Sequence, residues 1–474
     1  MFVGRESEMR ELSALWNKAS ASLVTCRGRR RIGKSTLIEE FAKRTADNFL
    51  VFEGLAPRKG LSDKRQRQHF CEALAHYCGH RIAASGWADA FESLNAAIPE
   101  SGRTVVLLDE ISWLAAYNPD FAGYLKVAWD RFFSKRERLV LVICGSVSSW
   151  VADNVLNSTG FVGRTSLDLN IGELHLPECV ELLGPSARRL SSRELLDFLS
   201  VTGGVPKYLM EVHAEQPLEM NVLRMCFSPN GLLFREFEET FAGVFGRKAE
   251  TRKKALMRLA MRPLSVSELA KTDGSTASGR LTRTLRELEY AGFVRGDGGV
   301  NPETGMPLRQ ERYRISDNYT HFYLKCIAPH YQAIERGLFK FASIEQFPEW
   351  EGLLGLQFEN VILNHVTELF PYLGLDRSLV LSAAPYVRRG KKGDGVQIDL
   401  LIQTRRMLMV VEIKRRREIG HGIVGEVEAK VAKLRHRGDL SVRTALVYEG
   451  ELAPSVQAEH YFDYIVPASV LLGV

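Results

Sequence analysis

The sequence predicts an α/β protein of several domains, and three observations support this class. The chain of 474 residues is too long for one ordinary hydrophobic core. Apolar segments of strand length in its first third are followed by helical patterns, as in an open parallel sheet. Near the C-terminus, residues 396–403 and 407–414 predict two strands of a hairpin that carries acidic residues on a buried face.

Composition and charge indicate a globular protein with an anionic partner. Hydrophobic residues make up 45% of the chain and charged residues 25%, which is typical of a folded protein. The net charge is only +6, but basic residues cluster late, as "RRGKK" (388–392), "KRRR" (414–417) and "KLRHR" (433–437). Such clusters suit a polyanion such as DNA, and a solvated basic surface is the alternative.

The cysteines and the hydropathy pattern bear on the compartment. Seven cysteines are scattered without a CxxC pair, which predicts neither a zinc site nor a disulfide framework. The N-terminal "MFVGRESEMREL" has no apolar signal region, and no run of about 18 apolar residues follows. We therefore expect a cytoplasmic protein in a reducing environment, without a membrane partner.

The first motif predicts a phosphate-binding loop. In "ASLVTCRGRRRIGKSTLIEEFAKR" a short apolar run leads to G-x-x-x-x-G-K-[ST] and then to a helical pattern. The glycines let backbone N–H groups and the helix N-terminus face phosphates, the lysine reaches the β- and γ-phosphates, and the serine hydroxyl binds Mg²⁺. The predicted ATP-binding residues of the loop are Gly28, Arg31, Gly33, Lys34, Ser35 and Thr36.

Two further apolar segments end in residues that fit the same chemistry. Residues 105–108 predict a buried strand that delivers Asp109 and Glu110 at its C-terminal end, where open α/β sheets bind ligands. Asp109 would hold Mg²⁺ through water, and Glu110 would polarise the attacking water. "RLVLVICGS" ends in Ser146, a candidate sensor of the γ-phosphate. These three segments together predict a P-loop ATPase with ATP and Mg²⁺ as cofactors.

A family resemblance adds to this interpretation. "FVGRESEMREL", "GRRRIGKST", "VVLLDE" and "ICGS" are similar to the archaeal-type ATPases of the AAA+/STAND group, and "TGGVPKYL" (202–209) resembles that group's GxP motif after the lid helices. The resemblance covers about residues 1–245 and implies ATP binding, slow hydrolysis and nucleotide-dependent assembly into a homo-oligomer. "FVGRTS" has Arg164 where the family often has a phosphate-sensing arginine, and a plain surface arginine is the equal alternative.

The middle of the chain predicts a winged helix-turn-helix. Within 251–315, "SVSELAK" and "STASGRLTRTLRELEYAGFV" predict two helices, and a β-hairpin with a long polar tip follows. The repeat of Leu281, Leu285 and Leu288 on the second helix predicts a buried stripe. Such a helix can enter the major groove, or the fold can pack internally against a neighbouring domain. The predicted DNA-binding residues off the stripe are Arg280, Arg283 and Arg286.

The late hairpin predicts a metal site. If its turn is centred on residues 405–406, position 404 pairs with 407, and Asp399 comes to face Glu412. Facing carboxylates repel unless a cation lies between them, and a divalent metal is the natural one. Lys414 shares the face of Glu412, where its ammonium can orient water or stabilise phosphoryl charge. Glu359, on the edge of an apolar helical stripe in "GLLGLQFENVILNHV", is a further candidate ligand.

These residues together resemble the PD-(D/E)XK nuclease core over about residues 340–474. A helix glutamate, an aspartate and E-x-K on a hairpin carry the resemblance, and archaeal-type ATPases with such a C-terminal domain form a family architecture. Asp394, in a glycine-rich loop, is not the predicted catalytic aspartate. "GEVEAKVAKLRHR" predicts a basic helix with Lys430, Lys433 and Arg437 on one side for phosphate contacts. A surface ladder of salt bridges is the alternative.

The fold class predicted is α/β multidomain, with a P-loop ATPase core (1–165), a helical lid (166–248), a winged helix-turn-helix (249–330) and an α/β/α PD-(D/E)XK nuclease-like domain (331–474). The leading hypothesis is an ATP-regulated DNA endonuclease that uses Mg²⁺, or Mn²⁺, in the nuclease site. A STAND-type ATP switch that binds nucleic acid or a partner without cleavage is the second hypothesis. The third is an ATP-dependent transcription regulator. The predicted catalytic residues are Glu110, Glu359, Asp399, Glu412 and Lys414.

Overall fold

The chain forms two compact units. A computed structural model describes residues 2–146, 148–213, 215–272, 279–308, 311–339, 343–347, 350–390 and 394–473. The first unit comprises Met1–Glu173 with Tyr290–Gly292, and the second comprises Leu174–Glu289 with Phe293–Val474. The start of the predicted long helix (275–278) and the two lysines of "RRGKK" (391–392) lie outside the described residues.

The first unit is built on a parallel five-stranded sheet of order β2-β3-β4-β1-β5. Its strands are β1 (Ser22–Gly28), β2 (Asn48–Glu53), β3 (Thr104–Asp109), β4 (Leu139–Gly145) and β5 (Thr165–Ile171). Its helices are α1 (Glu6–Ala14), α2 (Lys34–Thr45), α3 (Asp63–Cys78), α4 (Trp87–Ala97), α5 (Ile111–Leu114), α6 (Phe121–Arg131) and α7 (Ser148–Val151).

The central strands of this sheet are continuous apolar runs because both of their faces are buried. Every residue of β4 is buried, and β3 is buried up to its last residue, Asp109. The strands predicted before Asp109 and Ser146 are thereby confirmed. The predicted end of the ATPase core at residue 165 falls too early, because β5 pairs with β1 as far as Ile171.

The second unit begins with helices. These are α8 (Leu176–Leu183), α9 (Ser192–Thr202), α10 (Pro206–Leu209), α11 (Leu218–Cys226) and α12 (Leu232–Phe245). Further along the unit are α16 (Asn318–Phe322), α17 (Tyr331–Glu335), α18 (Trp350–Asn364) and α19 (Val366–Leu369). Among the described helices of the whole chain, none has the length and apolar character needed to span a bilayer.

Between α12 and α16 lies a small antiparallel sheet of order β6-β8-β7. Its strands are β6 (Leu264–Ser265), β7 (Val294–Asp297) and β8 (Arg312–Ile315), and its helices are α13 (Ala249–Leu259), α14 (Val266–Thr272) and α15 (Gly279–Tyr290). On α15, Leu285 and Leu288 are buried as predicted, whereas Leu281 is only half-buried. The apolar stripe is therefore shorter than the sequence indicated.

The C-terminal part of the second unit is a mixed sheet of order β13-β12-β11-β10-β9. Its strands are β9 (Ser382–Arg388), β10 (Val396–Gln403), β11 (Met407–Ile419), β12 (Ser441–Leu452) and β13 (Tyr464–Pro467), and its helices are α20 (Gly422–Lys433) and α21 (Pro454–Ala458). Strand β10 runs antiparallel to both β9 and β11, and β12 runs parallel to both β11 and β13.

The hairpin of β10 and β11 has the predicted register. The Thr404 N–H donates to the carbonyl of Met407 at 2.9 Å, and Leu400 pairs with Val411 further along. One more step outward in this register brings Asp399 opposite Glu412. A two-residue loop fixes the register, because every side chain would change face if the pairing slipped by one residue.

Candidate functional site

The loop between β1 and α2 has the backbone that its glycines predict. Gly28 and Gly33 have φ of 148° and 90°, and a Cβ on Gly28 would lie 2.3 Å from the Ile171 carbonyl oxygen. Arg31 also has a positive φ, 68°. The buried Lys34 folds back over the loop, where its Nζ donates to the carbonyls of Gly28 (3.1 Å) and Arg29 (2.9 Å). A loop of this shape before a helix N-terminus is suited to binding a phosphate through backbone N–H groups and the lysine.

The residues predicted to bind Mg²⁺ and activate water meet at the C-terminal edge of the sheet. The Ser35 hydroxyl donates to Asp109 Oδ2 at 2.6 Å, so the two predicted ligands are in direct contact. The next residue, Glu110, accepts a 2.9 Å hydrogen bond from the Ser146 hydroxyl. Oxygen ligands from a hydroxyl and a carboxylate suit Mg²⁺, which usually keeps several waters as well.

A third carboxylate at this edge escaped the sequence analysis. Glu53 ends β2 and pairs in register with Asp109. Burial, followed by the charges of Asp109 and Glu110, raises the pKa of Glu53. Three carboxylates in one place concentrate negative potential where a nucleotide-bound cation would lie. The sequence does contain a signal for this residue, because Glu53 follows an apolar run in "NFLVFE", just as Asp109 follows an apolar run.

Two predicted ATP-binding residues lie apart from these contacts. Thr36 is exposed on α2. Arg164 forms a two-point ion pair with Asp130, with Nε–Oδ1 and Nη2–Oδ2 distances of 2.7 and 3.0 Å. Hydrogen bonds from Arg164 and then from Lys126 lower the pKa of Asp130 to about 2. In this structure the Arg164 guanidinium thus binds a neighbouring carboxylate.

In the second unit, the predicted nuclease residues line one cavity of about 1290 Å³. Glu359 comes from α18, Asp399 from β10, and Glu412 and Lys414 from β11. Asp399 Oδ2 accepts a hydrogen bond from the Ile413 N–H at 3.1 Å. Of the apolar neighbours predicted for Glu359, Ile362 and Leu363 are buried, but Leu356 is 58% exposed and lines the cavity. The helix therefore turns Glu359 toward the cavity rather than into the core.

Lys430 has a position that the sequence did not predict. It was expected to face outward with Lys433 and Arg437, but its Nζ lies 3.4 Å from Asp399 Oδ1 and pairs with Glu412 Oε2. Only Lys433 of the three matches an exposed position on the helix, because α20 ends there and Arg437 lies beyond it. An ammonium group thus stands between the carboxylates where a metal was expected.

Electrostatics distinguish the groups in this cavity. Burial and then the nearby Asp399 charge raise the pKa of Glu359 to about 7. Burial and then Glu412 raise the pKa of Asp399 as well. Burial opposes the charge on Lys414, but the carboxylates of Glu412 and Glu426, each with an oxygen 3.0 Å from Nζ, outweigh it and raise the lysine's pKa. The carboxylates of Glu359, Asp399 and Glu412 therefore lie close together in the cavity, where a bound cation would relieve their mutual repulsion.

Comparison with known proteins decides the nature of the N-terminal region. Residues 2–212 match the family described as "ATPase domain predominantly from Archaea". This match indicates an archaeal-type ATPase domain in these residues. Such a domain binds and hydrolyses ATP, typically with Mg²⁺. The loop of β1 and α2 and the edge residues Asp109, Glu110 and Ser146 are its candidate nucleotide site.

Two curated proteins of Methanocaldococcus jannaschii are similar to this chain. The uncharacterized protein MJECL04 is 26% identical over 377 residues, which are 78% of this chain and 78% of that protein. The uncharacterized ATP-binding protein MJ0423 is 46% identical over 41 residues, which are 9% of this chain and 70% of that protein.

Two solved structures are similar to parts of this chain. The Walker-type ATPase PABY2304 of Pyrococcus abyssi has a TM-score of 0.47 and 17% identity, over 68% of this chain and 96% of that one. The ORC2 protein of Aeropyrum pernix has a TM-score of 0.40 and 12% identity, over 70% and 94% of the two chains.

Beyond the ATPase domain, the predicted DNA-contacting arginines of α15 are exposed, as their positions off the apolar stripe require. Arg280, Arg283 and Arg286 all face solvent.

In contrast to these exposed arginines, the loop between β7 and β8 packs within the second unit. There the Arg437 N–H donates to the Pro302 carbonyl at 3.0 Å.

The three arginines that follow Lys414 differ in burial. Arg416 and Arg417 are exposed, but the Arg415 side chain is only 1% exposed. Its guanidinium binds both oxygens of Asp197 on α9 (2.6 and 2.7 Å) and Glu351 Oε2 on α18 (2.6 Å). Treating "KRRR" as one surface cluster was therefore wrong for Arg415. Alternation along the strand would have separated it from Lys414 and Arg416.

Proposed function

We propose that this chain is an ATP-regulated, Mg²⁺-dependent DNA endonuclease that acts as a homo-oligomer. The observation that carries the proposal is the convergence of Glu359, Asp399, Glu412 and Lys414 on one cavity. These side chains come from three separate elements, and an accidental surface ladder of salt bridges would not require Glu412 to be 99% buried or Asp399 and Glu359 to be desolvated. The register of β10 and β11 supports the same conclusion.

The donor set of the cavity fits a divalent cation with oxygen ligands. Glu359, Asp399 and Glu412 would hold Mg²⁺ or Mn²⁺, because hard cations prefer carboxylate oxygens. Burial, and then the charge of a neighbouring carboxylate, raises the pKa values of Glu359 and Asp399. When bound, the ion would supply a Lewis acid at a phosphate. Lys414 is placed beside Glu412 to orient a water molecule and to stabilise charge on a phosphoryl oxygen.

The surroundings of the cavity suit a nucleic-acid backbone. Arg193, Arg416 and Arg417 line it together with Lys414, and guanidinium groups pair well with phosphates. We assign α13–α15 with the sheet of β6–β8 to a winged helix-turn-helix in which α15 carries the DNA-facing arginines. The packed loop between β7 and β8 supports contact through α15 rather than through the wing.

Cleavage assays test the proposal directly. Supercoiled, branched and single-stranded DNA would be incubated with Mg²⁺ or Mn²⁺, with and without ATP. We expect cutting by the wild type, loss of cutting in Glu412→Gln, and an altered ATP effect in Lys34→Ala. Glu428→Gln, an exposed glutamate on α20, is the matched control and should cut normally. Intact DNA in every wild-type reaction would refute the endonuclease.

One observation favours a second candidate, a STAND-type ATP switch that binds nucleic acid or a partner without cleaving it. Lys430 already pairs with Asp399 and Glu412 without a metal, as in a structural ion-pair cluster. Under this hypothesis Mg²⁺ would bind the protein with the same affinity after Asp399→Asn and Glu412→Gln. Metal affinity that falls in those variants supports the endonuclease instead.

A further inference from the structure

Away from the acidic cavity, two histidines and one glutamate of the second unit converge. Glu368 Oε1 lies 2.7 Å from His175 Nδ1 and 2.7 Å from His365 Nδ1. One ligand atom from each of the three side chains lies within 4.8 Å of the other two. No residue of this group takes part in the ATP site or in the proposed nuclease site.

The backbone fixes two of the three side chains on one helical turn. His365 and Glu368 stand at i and i+3 where α18 passes into α19, and the Glu368 N–H donates to the His365 carbonyl at 2.9 Å. Residues at this spacing share a helix face. His175 immediately precedes α8, and its N–H donates to Glu178 Oε2 at 2.9 Å. The cluster thus joins segments that lie 193 residues apart along the chain.

The three side chains differ in their exposure to solvent, and the two histidines stabilise the charge of Glu368. The His365 side chain is only 7% exposed and that of Glu368 20%, whereas that of His175 is 59% exposed, so solvent reaches the cluster from one side. Burial opposes the charge of Glu368, but hydrogen bonds from His175 and His365 hold its pKa at about 2.

We propose that His175, His365 and Glu368 form a Zn²⁺ site that links α8 to the α18–α19 segment. Two imidazole nitrogens and one carboxylate oxygen are ligands that Zn²⁺ accepts, and a water from the exposed side would complete four-coordination. Ligand atoms around tetrahedral zinc lie about 3.3 Å apart. The two 2.7 Å contacts need to open by only about half an ångström to reach this spacing.

The same atoms can also remain a hydrogen-bonded cluster in which both imidazoles donate to one carboxylate. Metal titration distinguishes the two states.

The titration would use the full-length protein with Asp399→Asn and Glu412→Gln, so that the proposed nuclease cavity does not contribute. A chelator would first remove any bound metal from this protein. Zn²⁺ would be titrated against a competing chromophoric chelator without nucleotide. Co²⁺ would serve as a spectroscopic probe, because its visible absorption reports coordination number.

We expect one equivalent of Zn²⁺ and a Co²⁺ spectrum of low coordination number. His175→Gln, an exposed position with little risk to folding, should weaken binding by at least about tenfold. His421→Gln is the matched control, since His421 is 57% exposed and also pairs with a glutamate, Glu459, at 3.0 Å. Its affinity for Zn²⁺ should equal that of the parent.

A second measurement protects the test against a folding defect. Zn²⁺ should raise the Tm of the parent protein and of His421→Gln, because a ligand that binds only the native state stabilises it. It should raise the Tm of His175→Gln much less. Absence of stoichiometric binding, or binding that His175→Gln leaves unchanged, would overturn the zinc site and leave a purely hydrogen-bonded cluster.

Discussion

The Lys430 ammonium pairs with the buried Glu412 carboxylate and lies 3.4 Å from Asp399 Oδ1. The Lys430 side chain is 24% exposed, whereas that of Glu412 is 1% exposed. A partly exposed cationic side chain therefore occupies the place that a divalent cation would take in the proposed nuclease. Since both cations cannot occupy that space, Lys430 and Mg²⁺ should compete.

Lys430→Met tests this competition. Without the Lys430 ammonium, Asp399 loses this counter-charge and Glu412 keeps only Lys414, so we expect the free energy of unfolding in chelator to fall by about 2 kcal/mol. Mg²⁺ should restore more stability to the variant than it adds to the wild type. Urea unfolding with and without Mg²⁺ measures both effects. Lys433→Met, at an exposed position on the same helix, should change neither, and an equal loss there would refute the argument.

The contrast between the hairpin and Lys430 shows what the sequence could predict. Alternation and a two-residue loop fix which residues of β10 and β11 face each other, so the position of Asp399 followed from local rules. The direction of the Lys430 side chain depends on how α20 docks onto the sheet. Helical periodicity places Lys430 and Lys433 on neighbouring positions, but only tertiary packing decides which of them meets the carboxylates.

The ATPase domain also combines features that the sequence predicts with features that it does not predict. Its loop and strands β1, β3 and β4 were predictable, because continuous apolar runs end in chemically distinctive residues. Strand β5 was missed, although Leu167, Leu169 and Ile171 alternate with polar residues, because no motif follows it. Its Asp168 pairs with Arg27 on β1 at 2.9 Å, a contact between distant segments that no local pattern reveals.

Nucleotide binding should depend on Lys34. Its Nζ now donates to two loop carbonyls and would turn to the β- and γ-phosphates when ATP binds. A charge-assisted hydrogen bond contributes about 1.5–3 kcal/mol, so Lys34→Ala should weaken ATP binding by at least about tenfold. Titration with a fluorescent ATP analogue measures this. Lys43→Ala, exposed in the last turn of the same helix, should bind as the wild type does, and unchanged affinity in Lys34→Ala would contradict the assignment.

Glu359 should make the metal-free protein less stable as the pH rises. Its pKa is about 7 in the folded protein and 4.5 as the reference value, so the folded state binds the proton more tightly. The stability that this provides is fully present below pH 4.5 and is lost as the pH rises through 7. Between pH 5 and pH 8 the wild type should therefore lose about 2 kcal/mol relative to Glu359→Gln.

Urea unfolding in chelator at several pH values measures this difference. Glutamine keeps the shape of a protonated glutamate, so the two proteins should be close in stability at pH 5 and diverge above pH 6. Glu428→Gln provides the exposed control and should run parallel to the wild type at each pH. A constant difference between wild type and Glu359→Gln across this range would show that Glu359 is ionised throughout.

The last prediction concerns Arg415, which ties α9 to the strand that carries Glu412 within the second unit. Its guanidinium binds both oxygens of Asp197 at 2.6 and 2.7 Å while almost fully buried. Lysine keeps the charge but cannot make the two-point contact, so Arg415→Lys should lower the free energy of unfolding by about 3 kcal/mol. The exposed Arg416→Lys should have almost no effect.

A double-mutant cycle with Asp197→Asn measures the interaction free energy between Arg415 and Asp197. It separates this energy from the general loss of stability that follows any change at a buried site. If the bond between Arg415 and Asp197 is responsible, the double variant should lose less stability than the two single variants added together. Strict additivity would mean that the two side chains contribute independently. Because Lys414 and Glu412 precede Arg415 on the same strand, the cleavage assay on Arg415→Lys would also show whether this contact supports the geometry of the proposed nuclease cavity.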